Sequence, residues 1–438
     1  MSIHKKIEEY FFTLKNKKID LASSSLCHLS SSSSTLGYYK LKLIRNNNNF
    51  SLHFTKAFLK FFLAIIFQKK YYLLGNNSSL NNYKNIIITW GKRENFNKSG
   101  YFEDRYFNLN SSFKKNKNLW IVIYLDSVKP KKISNNILLF IGTKKLNIIN
   151  FFKIVIANLF SNIFNLKNFI HLNSSTSNFS KIFFNILMQK INFKKINKVL
   201  MPYEGQPFQN YLIKSIKQIN QKISTIGYLH YAHPMQLDIF FRDGCPDKLY
   251  THSPDQKKYI IENLRWKKNR VKLIESSRYQ KNIKMQNFNN KIFFPYYISS
   301  PKKIIKNFKQ FVISSKNKSL PKFKIQKHPA PYNLDKQNLF QKEIEKIIYE
   351  NKIKFSKKNS FSFAIVFGLS TTPLLALEKK VKVLHIVNDK FLELFSENYW
   401  PNIEIKEMSN NCYFYRLKKY GKCIKLGNKT KNYFKNVL

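Results

Sequence analysis

Short apolar runs and amphipathic stretches alternate along the chain. Residues 85–90 (NIIITW) and 119–125 (LWIVIYL) have the length and the β-branched and aromatic content of buried strands. A third run, residues 198–203 (KVLMPY), leads directly into Glu204-Gly205. Residues 207–220 then place Phe208, Leu212, Ile216 and Ile219 on one helical face, and a strand follows over 225–230. The polar segment 280–290 (QKNIKMQNFNN) interrupts the rhythm as a linker. Beyond it the spacing predicts strands at 292–298, 323–327, 362–367 and 381–387, with helices at 301–313, 334–350 and 373–380. This alternation is that of parallel α/β sheets. It predicts two domains, 1–285 and 286–438. The tracts at 23–34 (SSSLCHLSSSSS) and 46–49 (NNNN) are expected to be surface loops.

Composition narrows the class. A chain of 438 residues with 43% hydrophobic residues and 40 Phe can build cores for two or three domains, which excludes wholesale disorder. The formal net charge of +53 suggests a polyanion. Yet only eight of the 77 basic residues are Arg, the residue whose planar fork suits phosphates and bases. Lys, Asn, Ile, Phe and Tyr are abundant together, and all have AT-rich codons, so genome composition accounts for most of the charge. A nucleic-acid partner is therefore not the expectation; an anionic membrane surface or acidic glycan shares what remains.

The four cysteines, Cys27, Cys245, Cys412 and Cys423, form no metal-ligand spacing or disulfide framework, as expected in a reduced cytoplasm. The start, MSIHKKIEEYFF, carries charges where a signal peptide has its apolar core. Residues 57–67 are too short to span a bilayer, and 148–169 are interrupted by Lys153, Lys167 and several Asn. A buried helix is the main reading of the latter, an interfacial helix on an anionic membrane the other.

Three predicted strand ends carry suggestive chemistry, and ligands of open α/β sheets bind beyond the carboxyl ends of strands. In PYEGQPF (202–208), Glu204 is placed as a general base toward a hydroxyl, or simply as an acid favouring a helix N-terminus. In KIQKHPAP (324–331), Pro329 forces His328 toward extended geometry, and Lys327 adds charge beside an imidazole able to stabilise a leaving phosphate. In FGLSTTPLLALE (367–378), Ser370, Thr371 and Thr372 precede Pro373 at a helix start, either as an anion site or as an ordinary cap. There is no DxD clamp for a metal-bound nucleotide sugar. His230 and His233 of LHYAHP would line a cleft rather than bind metal, and Tyr228 and Tyr231 would stack on sugars or pack the core. Because Lys fills nearly every basic position, Arg105, Arg242 and Arg278 are candidates for bidentate binding of an acidic sugar or phosphate, with structural salt bridges as the alternative.

Taken together, the acidic-Gly, His-Pro and Ser/Thr segments resemble those of bacterial sialyltransferases and capsule glycosyltransferases of GT-B fold. More closely, the chain resembles a family of bacterial surface carbohydrate biosynthesis proteins. The similarity lies in SGYFEDRYF (99–107), YEGQPF (203–208), IGYLHYAHP (226–234), IESSRYQ (274–280), KHPAP (327–331) and GLSTTPLLALE (368–378). It implies two Rossmann-like domains facing a central cleft, with acceptor on the first and nucleotide donor on the second. It implies metal-independent glycosyl transfer, with no cofactor beyond a nucleotide-sugar co-substrate, CMP-linked by analogy. Glu204 and His328 would be catalytic, the first as base and the second as acid toward the leaving group; Lys327, His328, Pro329, Ser370, Thr371 and Thr372 would hold the nucleotide phosphate. Gly205, Gln206, His230, His233, Arg242, Asp243 and Arg278 would line the substrate site. Tyr203 stands where sialyltransferases have a second acid, which makes Asp243 of FFRDGCPD a rival base. The expected acceptor is a surface glycan or its lipid-linked precursor, at the cytoplasmic face of the inner membrane. Phosphopolyol transfer from a CDP-linked donor, a glycan-binding scaffold without turnover, and a polyanion-binding protein are the alternatives.

Overall fold

A computed structural model describes residues 2–30, 36–46, 69–75, 80–146, 175–280, 288–298, 300–315, 322–328, 333–350, 362–428 and 432–438, with 149, 152 and 156. Two α/β sheets organise them. The first runs in the order β1-β4-β3-β2-β5-β6-β7-β8. Its strands are β1 (Lys69–Leu74), β2 (Asn85–Gly91), β3 (Asn118–Tyr124), β4 (Ile137–Leu146), β5 (Lys198–Pro202), β6 (Ser224–Tyr228), β7 (Lys248–Thr251) and β8 (Val271–Leu273). All pairings are parallel except β1 with β4. The second sheet has the order β10-β9-β11-β12-β14-β13. It comprises β9 (Lys291–Phe293), β10 (Lys324–Gln326), β11 (Phe363–Phe367), β12 (Lys382–Ile386), β13 (Ile403–Ser409) and β14 (Cys412–Leu417). Its first four strands are parallel, and β14 and β13 close it antiparallel. This is the two-sheet, parallel-dominated organisation expected of a GT-B-like chain.

The central strands β3 and β11 are buried along their whole length, as strands covered on both faces must be. Helices α1 (Ile3–Asn16), α2 (Leu36–Asn46), α3 (Ser175–Met188), α4 (Pro207–Ile219) and α5 (Pro254–Asn263) belong to the first half. The second half carries α6 (Pro301–Ser314), α7 (Leu334–Glu350), α8 (Thr372–Glu378) and α9 (Lys390–Glu393). The expected strand at 292–298 is shorter, because Pro295 has no N–H with which to continue the ladder.

One expectation needs correction. Ser23, Ser24 and Ser25 are buried rather than looped over the surface, as are Leu26, Cys27 and Leu29. Their hydroxyls are satisfied locally: Ser23 Oγ donates to Asp20 at 2.7 Å, and Ser24 Oγ accepts from the Leu26 N–H. The serine tract thus escapes the cost of burying unpaired polar groups. Residues 31–35 and 47–49 of the two tracts lie outside the described residues, as do 57–67 and nearly all of 148–169. No helix among the described residues is long and apolar enough to cross a membrane.

The end of the chain returns to the first sheet. Lys425 donates its N–H to the His252 carbonyl and accepts from Ser276, and α10 (Tyr433–Val437) packs into the first domain's core. Phe434 is fully buried there, edge-on to Phe107 at 4.9 Å and to Tyr228 at 5.0 Å. Phe434→Ala is expected to cost about 3–5 kcal/mol through the cavity it leaves. Hydrogen exchange should show the loss in β2, β3 and β6; weakened protection confined to the second sheet would refute this packing.

Candidate functional site

The loop from β5 to α4 is held by a network that its sequence encodes. Gly205 has φ +68°, and a Cβ there would stand 2.1 Å from the Asp238 carbonyl oxygen. Only glycine fits such a turn. Gln209, one turn into α4, accepts from the N–H groups of Glu204 (2.9 Å) and Gln206 (3.2 Å) and donates to the Pro202 carbonyl at 2.6 Å. The backbone around Glu204 is therefore fixed by a side chain, and the carboxylate is free to face outward from the strand end. Gln206 Nε2 donates to Glu204 Oε2 at 2.5 Å.

His230 lies beyond the end of β6, the neighbouring strand, with Nε2 3.5 Å from Glu204 Oε1. Burial lifts the Glu204 carboxyl to about 7; the Gln206 hydrogen bond and the Arg278 charge oppose the rise, and Asp238 adds to it. Its side chain keeps 28% of its surface, so the acid is sheltered but reachable. Burial drives His230 well below its usual value, with Arg278, His252 and His233 adding to the effect. The pair is thus a poised carboxyl beside a neutral imidazole, suited to taking a proton near neutrality.

Around this pair stand Tyr106, Tyr231, His233, His252 and Arg278. Tyr106 meets the His230 ring edge-on at 4.5 Å, and Tyr231 packs against both His230 (4.9 Å) and His233 (4.3 Å). The Arg278 guanidinium lies 5.9 Å from the Tyr106 ring centroid and 5.4 Å from that of Tyr279. Sequence reasoning named the segment around Tyr106 but singled out Arg105 in it rather than Tyr106. Asp104 places it: its carboxylate accepts from Thr89 Oγ1 at 2.6 Å and from the N–H groups of Tyr106 (2.8 Å) and Phe107 (2.5 Å). An Asp two and three residues ahead of a turn is the signal that could have found it.

The two halves meet at the loop after β6. The Ala232 N–H donates to Thr371 Oγ1 at 3.1 Å, and Trp400 Nε1 donates to the Pro234 carbonyl at 3.2 Å. Ser370 and Thr372 pair with each other at 2.8 Å. Their helix, α8, has only seven residues. Gly368, at φ +59°, is held through its carbonyl by the buried His385 at 2.7 Å, and a Cβ there would lie 3.5 Å from Pro295 and 3.9 Å from Glu393. Burial raises the Glu393 carboxyl to about 7. His328 follows β10 and stands edge-on to Tyr296 at 5.5 Å, while Lys327 Nζ donates to Asn338 Oδ1 at 2.7 Å. His328, Tyr296 and Gly368 thus follow the carboxyl ends of three adjoining strands, β10, β9 and β11. Pro329 lies outside the described residues.

Three of the candidates are placed elsewhere. Arg242 is buried and spends its guanidinium on the backbone carbonyls of Leu21, Asp238, Phe240 and Gly205. It braces the Gly205 turn from behind and has nothing left for substrate. Asp243 is exposed beside Lys214 rather than beside the dyad, because Gly244, whose Cβ would strike the Asn210 carbonyl at 2.1 Å, turns the chain there. Arg105 forms an exposed ion pair with Glu94 at 2.5 Å. Arg242 and Arg105 took the structural alternative.

No family model matches the chain, and no curated protein matches it either. Among solved structures it is similar to a glycosyltransferase from Rickettsia africae ESF-5, at 10% identity and TM-score 0.31, over 69% of this chain and 79% of that one. It is also similar to an α,α-trehalose 6-phosphate synthase from Burkholderia multivorans, at 8% identity and TM-score 0.34, over 65% and 76% of the two chains. Arabidopsis thaliana UGT89C1 complexed with UDP-L-rhamnose is similar at 8% identity and TM-score 0.29, over 71% and 81%. Superpositions this loose leave function to be argued from the residues.

Asp104→Ala is expected to lower stability by about 2–4 kcal/mol, since two backbone N–H groups and the Thr89 hydroxyl lose their acceptor. Asp104→Asn keeps an oxygen for the N–H groups and should lose less than half as much. Burial raises the Asp104 carboxyl to about 6, so the native protein loses stability as this group ionises. The loss in each variant relative to it should shrink by the same amount from pH 5 to pH 8, while the gap between the two variants, neither of which carries the carboxyl, stays constant. Urea denaturation at pH 5 and pH 8 checks this; equal losses for both variants would rule it out.

Proposed function

We propose that the protein is a nucleotide-sugar-dependent glycosyltransferase. The observation that carries the reading is the Glu204–His230 pair, an acid with its carboxyl near 7 at a strand end of the first sheet, beside the seam with the second. The acceptor sugar would rest on Tyr106 and Tyr231, whose rings suit a sugar face. The donor nucleotide would lie along the carboxyl ends of β9 to β12, near Tyr296, His328, Gly368, Ser370 and Glu393, where open sheets bind ligands. Lys327 and Thr371 support that edge through Asn338 and Ala232 rather than by holding phosphate themselves.

The reaction follows from this arrangement. Glu204 takes the proton of an acceptor hydroxyl as that oxygen attacks the anomeric carbon. The bond from that carbon to the phosphate oxygen breaks, and its electron pair leaves with the nucleotide. His328 is the group able to hydrogen-bond the departing phosphate. Gln206 and His230 keep the carboxylate oriented, and Arg278 moderates its basicity. A cytidine-linked acidic donor and a surface-glycan or lipid-linked acceptor at an anionic membrane are the finer form of this proposal, supported by the segment resemblances and by the positive charge.

Stabilisation against heat by CMP, CDP, UDP or GDP tests the donor side, since a ligand bound only to the native state raises its melting temperature. Glu204→Gln should retain that stabilisation and lose turnover by about 10²–10⁴-fold. In the native protein kcat/KM should rise with pH and reach half its plateau near pH 7, because only the deprotonated carboxyl accepts a proton. A protein that no nucleotide stabilises, or an active Glu204→Gln variant, would overturn the reading.

A further inference from the structure

Arg278 is the one partly buried guanidinium in the site, and among the described residues it has neither an ion pair nor a hydrogen bond. Arg105, by contrast, is spent on a carboxylate and Arg242 on backbone carbonyls. A desolvated cation without a partner is costly unless a ligand supplies one. Two further groups in the same place have ring nitrogens left over. His252 is fully buried, and neither of its ring nitrogens makes a hydrogen bond of good geometry, the Leu229 backbone being the nearby acceptor. His230 is buried with its Nδ1 unbonded. The His252 ring lies 5.5 Å from that of Tyr279, which also faces Arg278.

The chemistry of this cluster selects an anion. His230, His233 and His252 are all kept neutral, chiefly by burial and next by the Arg278 charge. A neutral imidazole donates one N–H; His230 faces the Glu204 carboxylate with Nε2, so His252 is the ring whose N–H can hydrogen-bond an oxyanion without carrying charge. The same guanidinium repels a metal cation from these nitrogens. Tyr106 and Tyr279 offer ring faces to Arg278, and these fix its plane while leaving its N–H edge unspent.

We propose that Arg278, with His252, binds an oxyanion carried by the acceptor, either a carboxylate or a phosphate monoester. This deepens the transferase reading and rests on it only for the word acceptor. The acceptor would then be an acidic sugar or a sugar phosphate, anchored by its charge so that its hydroxyl reaches Glu204.

The test uses the full chain without any nucleotide, so that it stands apart from turnover. Glucuronate, glucose 6-phosphate and glucose are titrated against heat unfolding or in a calorimeter. One of the two anions should bind at least tenfold more tightly than glucose, and which one does so identifies the source of the charge. Arg278→Gln should weaken that anion by roughly 10- to 100-fold and leave glucose unchanged. Arg278→Lys, which keeps the charge but not the fork, should fall between and guards against a variant that fails to fold. Equal binding of all three sugars to the native protein, or unchanged anion affinity in both variants, overturns the proposal. Anion binding in a protein that no nucleotide stabilises would instead remove the transferase reading and leave the oxyanion site standing.

Discussion

The loop that follows β6 has to satisfy two sheets at once, and most of the site depends on how it does so. Ala232 is buried among residues of the second core, and its N–H meets Thr371. On either side of it, His230 and His233 turn back toward the first sheet, where Glu204 and Tyr231 receive them. An alanine is small enough to enter the neighbouring core, and a single backbone hydrogen bond fixes its depth. A shift of the second domain therefore moves the imidazole that stands against the carboxyl. Geometry at the dyad and docking of the halves form one structural unit.

Behind that front, stability and chemistry are kept apart. Arg242 and Gln209 brace the Gly205 turn from the inner side, Arg242 through the Gly205 carbonyl and Gln209 through the Pro202 carbonyl and the N–H groups of Glu204 and Gln206. The groups on the outer side are the opposite: Arg278, His230 and His252 retain unspent hydrogen-bonding capacity. A folded protein leaves buried polar groups unpaired at a cost, and such places are where ligands are found.

Much of this was legible beforehand. The βαβ rhythm gave the parallel strands β2, β3, β5, β6 and β9 to β12, because runs buried on both faces are continuous in sequence. The turn at Glu204-Gly205 was legible because a strand ending on an acid, a glycine and then a proline allows few conformations. Less was legible where partners come from afar. Nothing local distinguishes Arg242 from Arg278, since one is buried against carbonyls from residues 21 to 240 and the other is left open by the fold. The serines at 23–25 look like a loop until the turn that satisfies them is seen. Strands β1, β4, β13 and β14 went unnoticed, being part-polar or charged, and so did β7 and β8, which are only four and three residues long. Tyr106 was hidden because its place depends on Asp104 bonding across to Thr89, on another strand.

The return of residues 425–438 to the first sheet has a bearing on biosynthesis. A ribosome delivers the first eight strands long before it delivers Phe434, yet that phenyl ring fills the space between Phe107 and Tyr228. While translation continues, the nascent amino-terminal half must wait with an open gap in its hydrophobic interior, exposed to chaperones and proteases. Closure of that gap joins the two halves by a second chain crossing, so that maturation of the earlier-made half is timed by synthesis of the later one.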